Sequence, residues 1–219
     1  MITKLHQILA CLILFVLFPV SAQPIETETH HYLERTGSKT SPVEWKFEKG
    51  VVPKITWVGS DETITTWSNP SLETVKWVVD KPGQNTLITV QRTNNDLIIN
   101  GVLKGSPLEK KVKIDNLPWF QAISISLRPF IISKDSALEF WTFQPDTLKI
   151  YKLRALKVSA DVLKINSNTI KAQKVKISLT GILSVFGECF YWFTKDDGVF
   201  IRYEGPGTSP EKKVTVEMR

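Results

Sequence analysis

The chain has 219 residues, 42% hydrophobic and 23% charged, with a formal net charge of +6 and two cysteines. That length suits one domain or two small ones and is enough to bury a sizeable core. The positive charge is spread as single lysines along apolar runs, among them Lys149, Lys152, Lys174 and Lys176. With no clustered arginine and no recognisable module, this reads as solvated strand faces, or as attraction to anionic lipid or polysaccharide, and excludes a nucleic-acid partner.

Residues 1–22 read as a secretory signal peptide. Lys4 supplies a positive start, Ile8 to Val20 an apolar stretch that Pro19 breaks, and Val20-Ser21-Ala22 the small residues of a cleavage site before Gln23. The apolar stretch is shorter than the roughly 20 residues of a transmembrane helix, so no transmembrane segment is expected after cleavage. Cys11 sits in a sequence like a lipid-attachment box, Ile8-Leu9-Ala10-Cys11. The apolar run continues past it, however, so a cleaved peptide is expected rather than lipidation. The destination is the periplasm or the exterior. Only Cys189 then remains, which rules out an internal disulfide and leaves stability to the core.

In chain order, residues 23–40 are polar and predict an extended or disordered lead-in, with room for one short strand. His30 and His31 are adjacent, point in different directions and lack a third ligand, so no metal site and no cofactor are expected. Residues 41–219 are expected to form a single β-rich domain. Trp57, Trp67 and Trp77 recur every ten residues, a beat that fits successive hairpin strands. Such tryptophans are core or barrel rim, or else platforms for stacking sugars.

Residues 85–104 read as a hairpin turning at Asn94-Asn95-Asp96, where Gly101 marks a bulge. Lys111 to Ile114 predicts another short strand. Between residues 116 and 130 two patterns compete. Asn116 capping a helix with Pro118 in its first turn would put Leu117, Phe120, Ile123 and Leu127 on one face, whereas Ile123, Ile125 and Leu127 alternate with serines as in a strand. A short helix over a barrel mouth is the reading taken, interrupted by Pro129.

Residues 138–143 predict a strand, followed by a turn at Gln144-Pro145-Asp146. From 148 to 203 five apolar runs, starting at Leu148, Asp161, Lys171, Phe190 and Val199, read as one antiparallel meander. In it Val175, Ile177 and Leu179 alternate with Lys174, Lys176 and Ser178, and Asp197-Gly198 turns a hairpin. Val214, Val216 and Met218 close the chain as a terminal strand. The fold class is therefore all-β, mainly antiparallel: a strongly curved sheet or incomplete barrel with one short helix.

The motifs Leu117-Pro-Trp-Phe-Gln121, Leu127-Arg-Pro-Phe130, Phe140-Trp-Thr142 with Pro145-Asp146, Tyr191-Trp-Phe193, Asp197-Gly198-Val199 and Arg202-Tyr203-Glu204 resemble a family of uncharacterised exported bacterial proteins. The resemblance covers residues 97–204. It implies a curved antiparallel sheet similar to lipoprotein-carrier half-barrels, whose concave face holds an apolar ligand, and it supplies no catalytic residues.

Chemistry is sparse. Glycan hydrolysis needs two carboxylates roughly 5 to 9 Å apart, and Glu139, Asp146, Glu188 and Glu204 are the candidates, with Glu188 and Glu204 facing each other across the hairpin. Strand carboxylates more commonly pair with Lys or Arg, and no nucleophile or phosphate-binding motif is present. No catalytic residue is assigned, and the protein is not expected to be an enzyme. The aromatics Trp119, Phe140, Trp141, Phe143, Tyr191, Trp192 and Phe193 would instead fill a core or line a pocket for a lipid or amphiphilic small molecule, in which case Trp192→Ala should weaken ligand retention. The other reading is an envelope interaction protein that meets a partner protein through the apolar loop Ile182-Leu-Ser-Val-Phe186.

Overall fold

The computed structural model describes residues 26–180, 188–206 and 213–219. The expected signal peptide and the apolar loop at 182–186 lie outside the described residues. Among the described residues, fourteen strands make one antiparallel sheet. The first eight form a meander: β1 (Thr27–Thr36), β2 (Lys39–Glu48), β3 (Lys54–Val58), β4 (Thr63–Ser68), β5 (Thr74–Lys81), β6 (Thr86–Thr93), β7 (Asp96–Leu103) and β8 (Ser106–Lys113). Two short helices follow, α1 (Ile123–Ser126) and α2 (Arg128–Ile132). A second meander comprises β9 (Ala137–Phe143), β10 (Ile150–Ile165), β11 (Asn168–Leu179), β12 (Glu188–Thr194), β13 (Phe200–Pro206) and β14 (Lys213–Met218). The meanders join where β1 pairs with β14, so the first and last described strands meet mid-sheet while β8 and β9 form unjoined edges. The sheet is all-antiparallel and not closed.

Local sequence explains most of these strands. In β6 and β7, Ile88, Val90, Leu97 and Ile99 face inward, each at most 1% exposed. Their neighbours Leu87 and Asn100 face out or sit partly exposed, the period-two alternation of a sheet with one buried face. Burying each such side chain contributes roughly 1.5–3 kcal/mol. Gly101 is no bulge: the register runs unbroken through the pair Ile88↔Gly101. Its φ of +141° and a Cβ position only 2.0 Å from the Leu87 carbonyl oxygen show why no side chain fits.

The sequence expectations need three further corrections. The polar lead-in contains a ten-residue strand, β1, at the centre of the sheet. The first two runs of the expected five-run meander are one 16-residue strand, β10, whose parity shifts at an irregularity between Lys157 and Ser159. The helix does not start at Asn116: residues 117–122 are non-helical, and Pro129 opens α2 rather than breaking it.

The sheet curls until its two arms face each other. Trp77, Val79, Ile88, Val90, Leu97 and Ile99 from β5–β7 pack against Phe143, Leu148 and Trp119. Trp77 stacks on Phe143 at 6.4 Å between ring centroids, and Lys81 reaches across to Asp146 at 2.9 Å. Residues 118–121 thread the seam between the arms. The Thr74 amide donates to the Trp119 carbonyl at 2.8 Å, the Phe120 amide to the Trp141 carbonyl at 2.9 Å, and the Trp141 amide to the Pro118 carbonyl at 2.8 Å. The segment thus satisfies backbone groups on both sides of the seam, including those on the open edge of β9.

Candidate functional site

Along β1 the inward-facing series is Glu28, His30, Tyr32, Glu34 and Thr36. At one end of the concave face, α2 plugs the curve. The Arg128 guanidinium donates to both oxygens of Glu28, at 3.2 and 2.7 Å, and lies over the rings of Trp45 and Phe47 at 5.4 and 5.3 Å. Lys49 adds a contact to Glu28 at 2.8 Å. Burial alone would push the Glu28 carboxyl up, but the hydrogen bonds from Arg128 and Lys49 outweigh it and hold it at about 2. His30 packs on Trp45 at 5.1 Å, and burial pushes its imidazole down, toward the neutral form.

Beyond this plug the concave face is not filled. A cavity of about 290 Å³ lies between α1 and strands of both meanders. Trp45, Ile55, Trp57, Ile64, Phe200 and Val216 supply its apolar walls, Tyr191 and Tyr203 stand opposite, and Ala122, Ile123 and Ser124 form its helical side. Internal hydrogen bonds hold the walls in place. The Tyr32 hydroxyl donates to the Phe200 carbonyl at 2.9 Å, and the Trp45 indole N–H donates to the Ser124 hydroxyl at 3.1 Å.

Glu34 and Glu62 also line the cavity, and with Trp57 they line an adjoining opening of about 190 Å³ near Lys39 and Asp61. Glu62 pairs with Lys81 at 2.7 Å. Glu34 makes no ion pair among the described residues and touches the Thr36 hydroxyl at 3.4 Å. Burial pushes its carboxyl above the usual range, helped by the nearby Glu62 and Asp61 and opposed by the Thr36 hydroxyl and Lys39.

Of the aromatics expected to bind a ligand, Tyr191 lines this cavity and the others are placed elsewhere. Phe140 and Phe193 are fully buried in the central core. Trp119 and Phe143 pack in the seam between the arms, with Trp141 against them. Trp192 points to the opposite face of β12, where it joins Phe190, Ile201 and, from the β10–β11 hairpin, Leu163, Ile165 and Ile170. There its indole N–H donates to Asp161 at 2.8 Å, and Lys174 sits 5.0 Å over its ring. The covering hairpin is what the second bulky face of β12 meets. Trp192→Ala is therefore expected to destabilise the fold by about 3 kcal/mol while leaving cavity binding by the folded variant unchanged. A urea titration paired with a ligand titration checks both.

The carboxylates considered for catalysis are tied up in ion pairs. Glu139 pairs with Lys152 at 3.8 Å, Asp146 with Lys81 at 2.9 Å, Glu204 with Lys213 at 3.2 Å, and Glu188 with Lys176. The register sets Phe190, not Glu188, opposite Glu204. Burial pushes the Cys189 thiol up to about 12, so it stays protonated. Among the described residues no group of three or more His, Cys, Asp or Glu is placed to hold a metal.

Sequence reasoning passed over Glu34 and Ile55, and singled out Trp57 only together with Trp67 and Trp77. The ten-residue tryptophan beat was the available signal, but its members diverge. Trp57 lines the cavity, Trp77 is buried in the seam, and Trp67 carries Lys76 over its ring at 4.9 Å.

No protein-family model and no curated protein sequence matches the chain. Among solved structures, the chain is similar to the β-barrel-like protein of domain of unknown function DUF1849 from Brucella abortus. The TM-score is 0.60 at 7% identity, over 89% of this chain and 96% of that one. It is also similar, at a TM-score of 0.43 and 10% identity, to the hypothetical lipoprotein YmcC of Escherichia coli K12, over 90% of this chain and 84% of that one. The fold is thus shared with a bacterial β-barrel-like protein of a domain of unknown function, in line with the motif resemblance.

Proposed function

We propose that this is a non-catalytic protein of the bacterial envelope that holds an apolar or amphiphilic molecule in its half-barrel. The observation that carries this reading is the cavity on the concave face, walled by Trp45, Trp57, Ile55 and Tyr191 and opening past Glu34 and Glu62. A concave, mostly apolar space with a few polar groups at its mouth is the usual form of a small-molecule site. Among the described residues its lining is mainly apolar and aromatic, and Glu62 is engaged by Lys81. An envelope location is supported by the signal-peptide pattern of residues 1–22.

The test is native mass spectrometry of the mature protein purified gently from its own envelope. A reproducible mass excess that solvent extraction removes is expected, and it would identify the ligand class. A bare mass across several preparations would sink the carrier reading and leave a protein that acts through partners.

A further inference from the structure

We propose that the ligand has a cationic amine head and a single apolar tail, the ammonium lying against Glu34 at the cavity mouth and the tail against Trp45, Trp57 and Tyr191. This rests on the cavity being a ligand site, as proposed above, and adds the sign of the ligand's charge.

Most polar groups of the cavity are already engaged. The Gln121 amide is bonded to the backbone of Phe143, the Ser124 hydroxyl accepts from Trp45, the Tyr203 hydroxyl donates to the Pro206 carbonyl, and Glu62 is paired with Lys81. The deep part of the cavity therefore offers mainly apolar surface. Glu34 differs: it faces inward from the central strand, it is half-buried, and no cation pairs with it among the described residues. A carboxylate partly withdrawn from water that makes no ion pair, with only the more distant attraction of Lys39 acting on it, gains when a ligand brings a cation into contact.

The surroundings set the sign. The whole chain is basic at +6, yet Glu34, Asp61 and Glu62 converge on the adjoining opening. The cations there are Lys39 and, on Glu62, Lys81, which is shared with Asp146. An anionic head would meet an excess of like charge. An ammonium would be drawn in and would also have the Trp57 ring beside it, a surface that attracts cations. The volume of about 290 Å³ sits at the low end of ligand pockets, which run roughly 300–1,000 Å³, and so suits one chain rather than several.

The experiment is a tryptophan-fluorescence titration of the mature protein at pH 7 with dodecylammonium, dodecanol and dodecanoate, each below its critical micelle concentration. Dodecylammonium is expected to bind about tenfold or more tightly than the other two. Glu34→Gln should bring it to the level of dodecanol, whose own affinity should not change. Equal or tighter binding of dodecanol or dodecanoate by the unmodified protein overturns the amine head, a comparison that does not depend on the variant folding. Amine affinity unchanged in folded Glu34→Gln overturns it as well. If all three chains bind without preference, the cavity reading stands and the charge assignment alone falls. If none binds, the cavity reading fails and takes this inference with it.

Discussion

Gln121→Leu is expected to lower stability by on the order of 3 kcal/mol, because one side chain serves as a strand partner at the seam of the curled sheet. Its amide nitrogen donates to the Phe143 carbonyl at 3.0 Å, and its amide oxygen accepts from the Phe143 backbone N–H at 3.0 Å and from the Trp119 indole at 3.2 Å. The Gln121 backbone N–H donates in turn to the Thr74 hydroxyl at 2.9 Å on the opposite arm. Leucine keeps the bulk but leaves the Phe143 N–H and C=O and the Trp119 N–H without partners in a largely buried place. Each orphaned group costs about 1–3 kcal/mol, and the losses add only in part, since the three groups share one partner. Gln121→Glu is not a conservative alternative, because it turns a second acceptor toward the Phe143 carbonyl. Urea unfolding measures the total, and hydrogen exchange at the Phe143 amide should accelerate beyond the global change. A leucine variant with the parent midpoint would mean that apolar packing of Trp77, Trp119 and Phe143 holds the seam unaided.

How much of the fold is readable from the sequence follows from which faces meet water. Strands β6 and β7 have one face in the core and the other solvated, so their alternation announces them. Strand β1 does not, because its inward series of Glu28, His30, Tyr32, Glu34 and Thr36 is mostly polar. Hydropathy reads such a strand as a polar lead-in, yet Glu28 meets Arg128, His30 packs on Trp45, Tyr32 bonds to the Phe200 carbonyl, Glu34 lines the cavity and Thr36 its adjoining opening. The aromatics of β12 fail as predictors for the opposite reason. Phe190 and Trp192 on one face carry the same chemical weight as Tyr191 and Phe193 on the other, and no local pattern says which face is concave. That depends on the long β10–β11 hairpin covering the outer one. The motif resemblance supplied the curved sheet, but its aromatic-rich stretches led to the core and the seam. The cavity instead draws many of its walls from residues 34–66, which the resemblance did not cover.

Arg128→Met should cost about 3 kcal/mol at pH 7 and flatten the acid limb of the stability curve. Methionine retains much of the stacking on Trp45 and Phe47 while removing the two bonds to Glu28. In the intact protein the Glu28 carboxyl is held at about 2, against an ordinary value of 4.5. A carboxyl with a depressed folded-state value contributes stability that is fully present above pH 4.5 and is lost as the pH falls toward 2. Each tenfold change in proton affinity corresponds to about 1.4 kcal/mol, so that contribution is on the order of 3 kcal/mol. The Glu28 side chain, 22% exposed, is shielded enough for most of it to survive screening. Without Arg128 only Lys49 holds the carboxylate, burial pushes the group back up, and the fall between pH 4.5 and 2 should shrink. The sharper readout is the double variant. If the cost is mainly an uncompensated charge against the plug, Arg128→Met with Glu28→Gln should be more stable at pH 7 than Arg128→Met alone. If the double variant is no better, the arginine acts through its stacking and not through the pair. Helix α2 would then be held at the end of the concave face by packing, and acid would not loosen it.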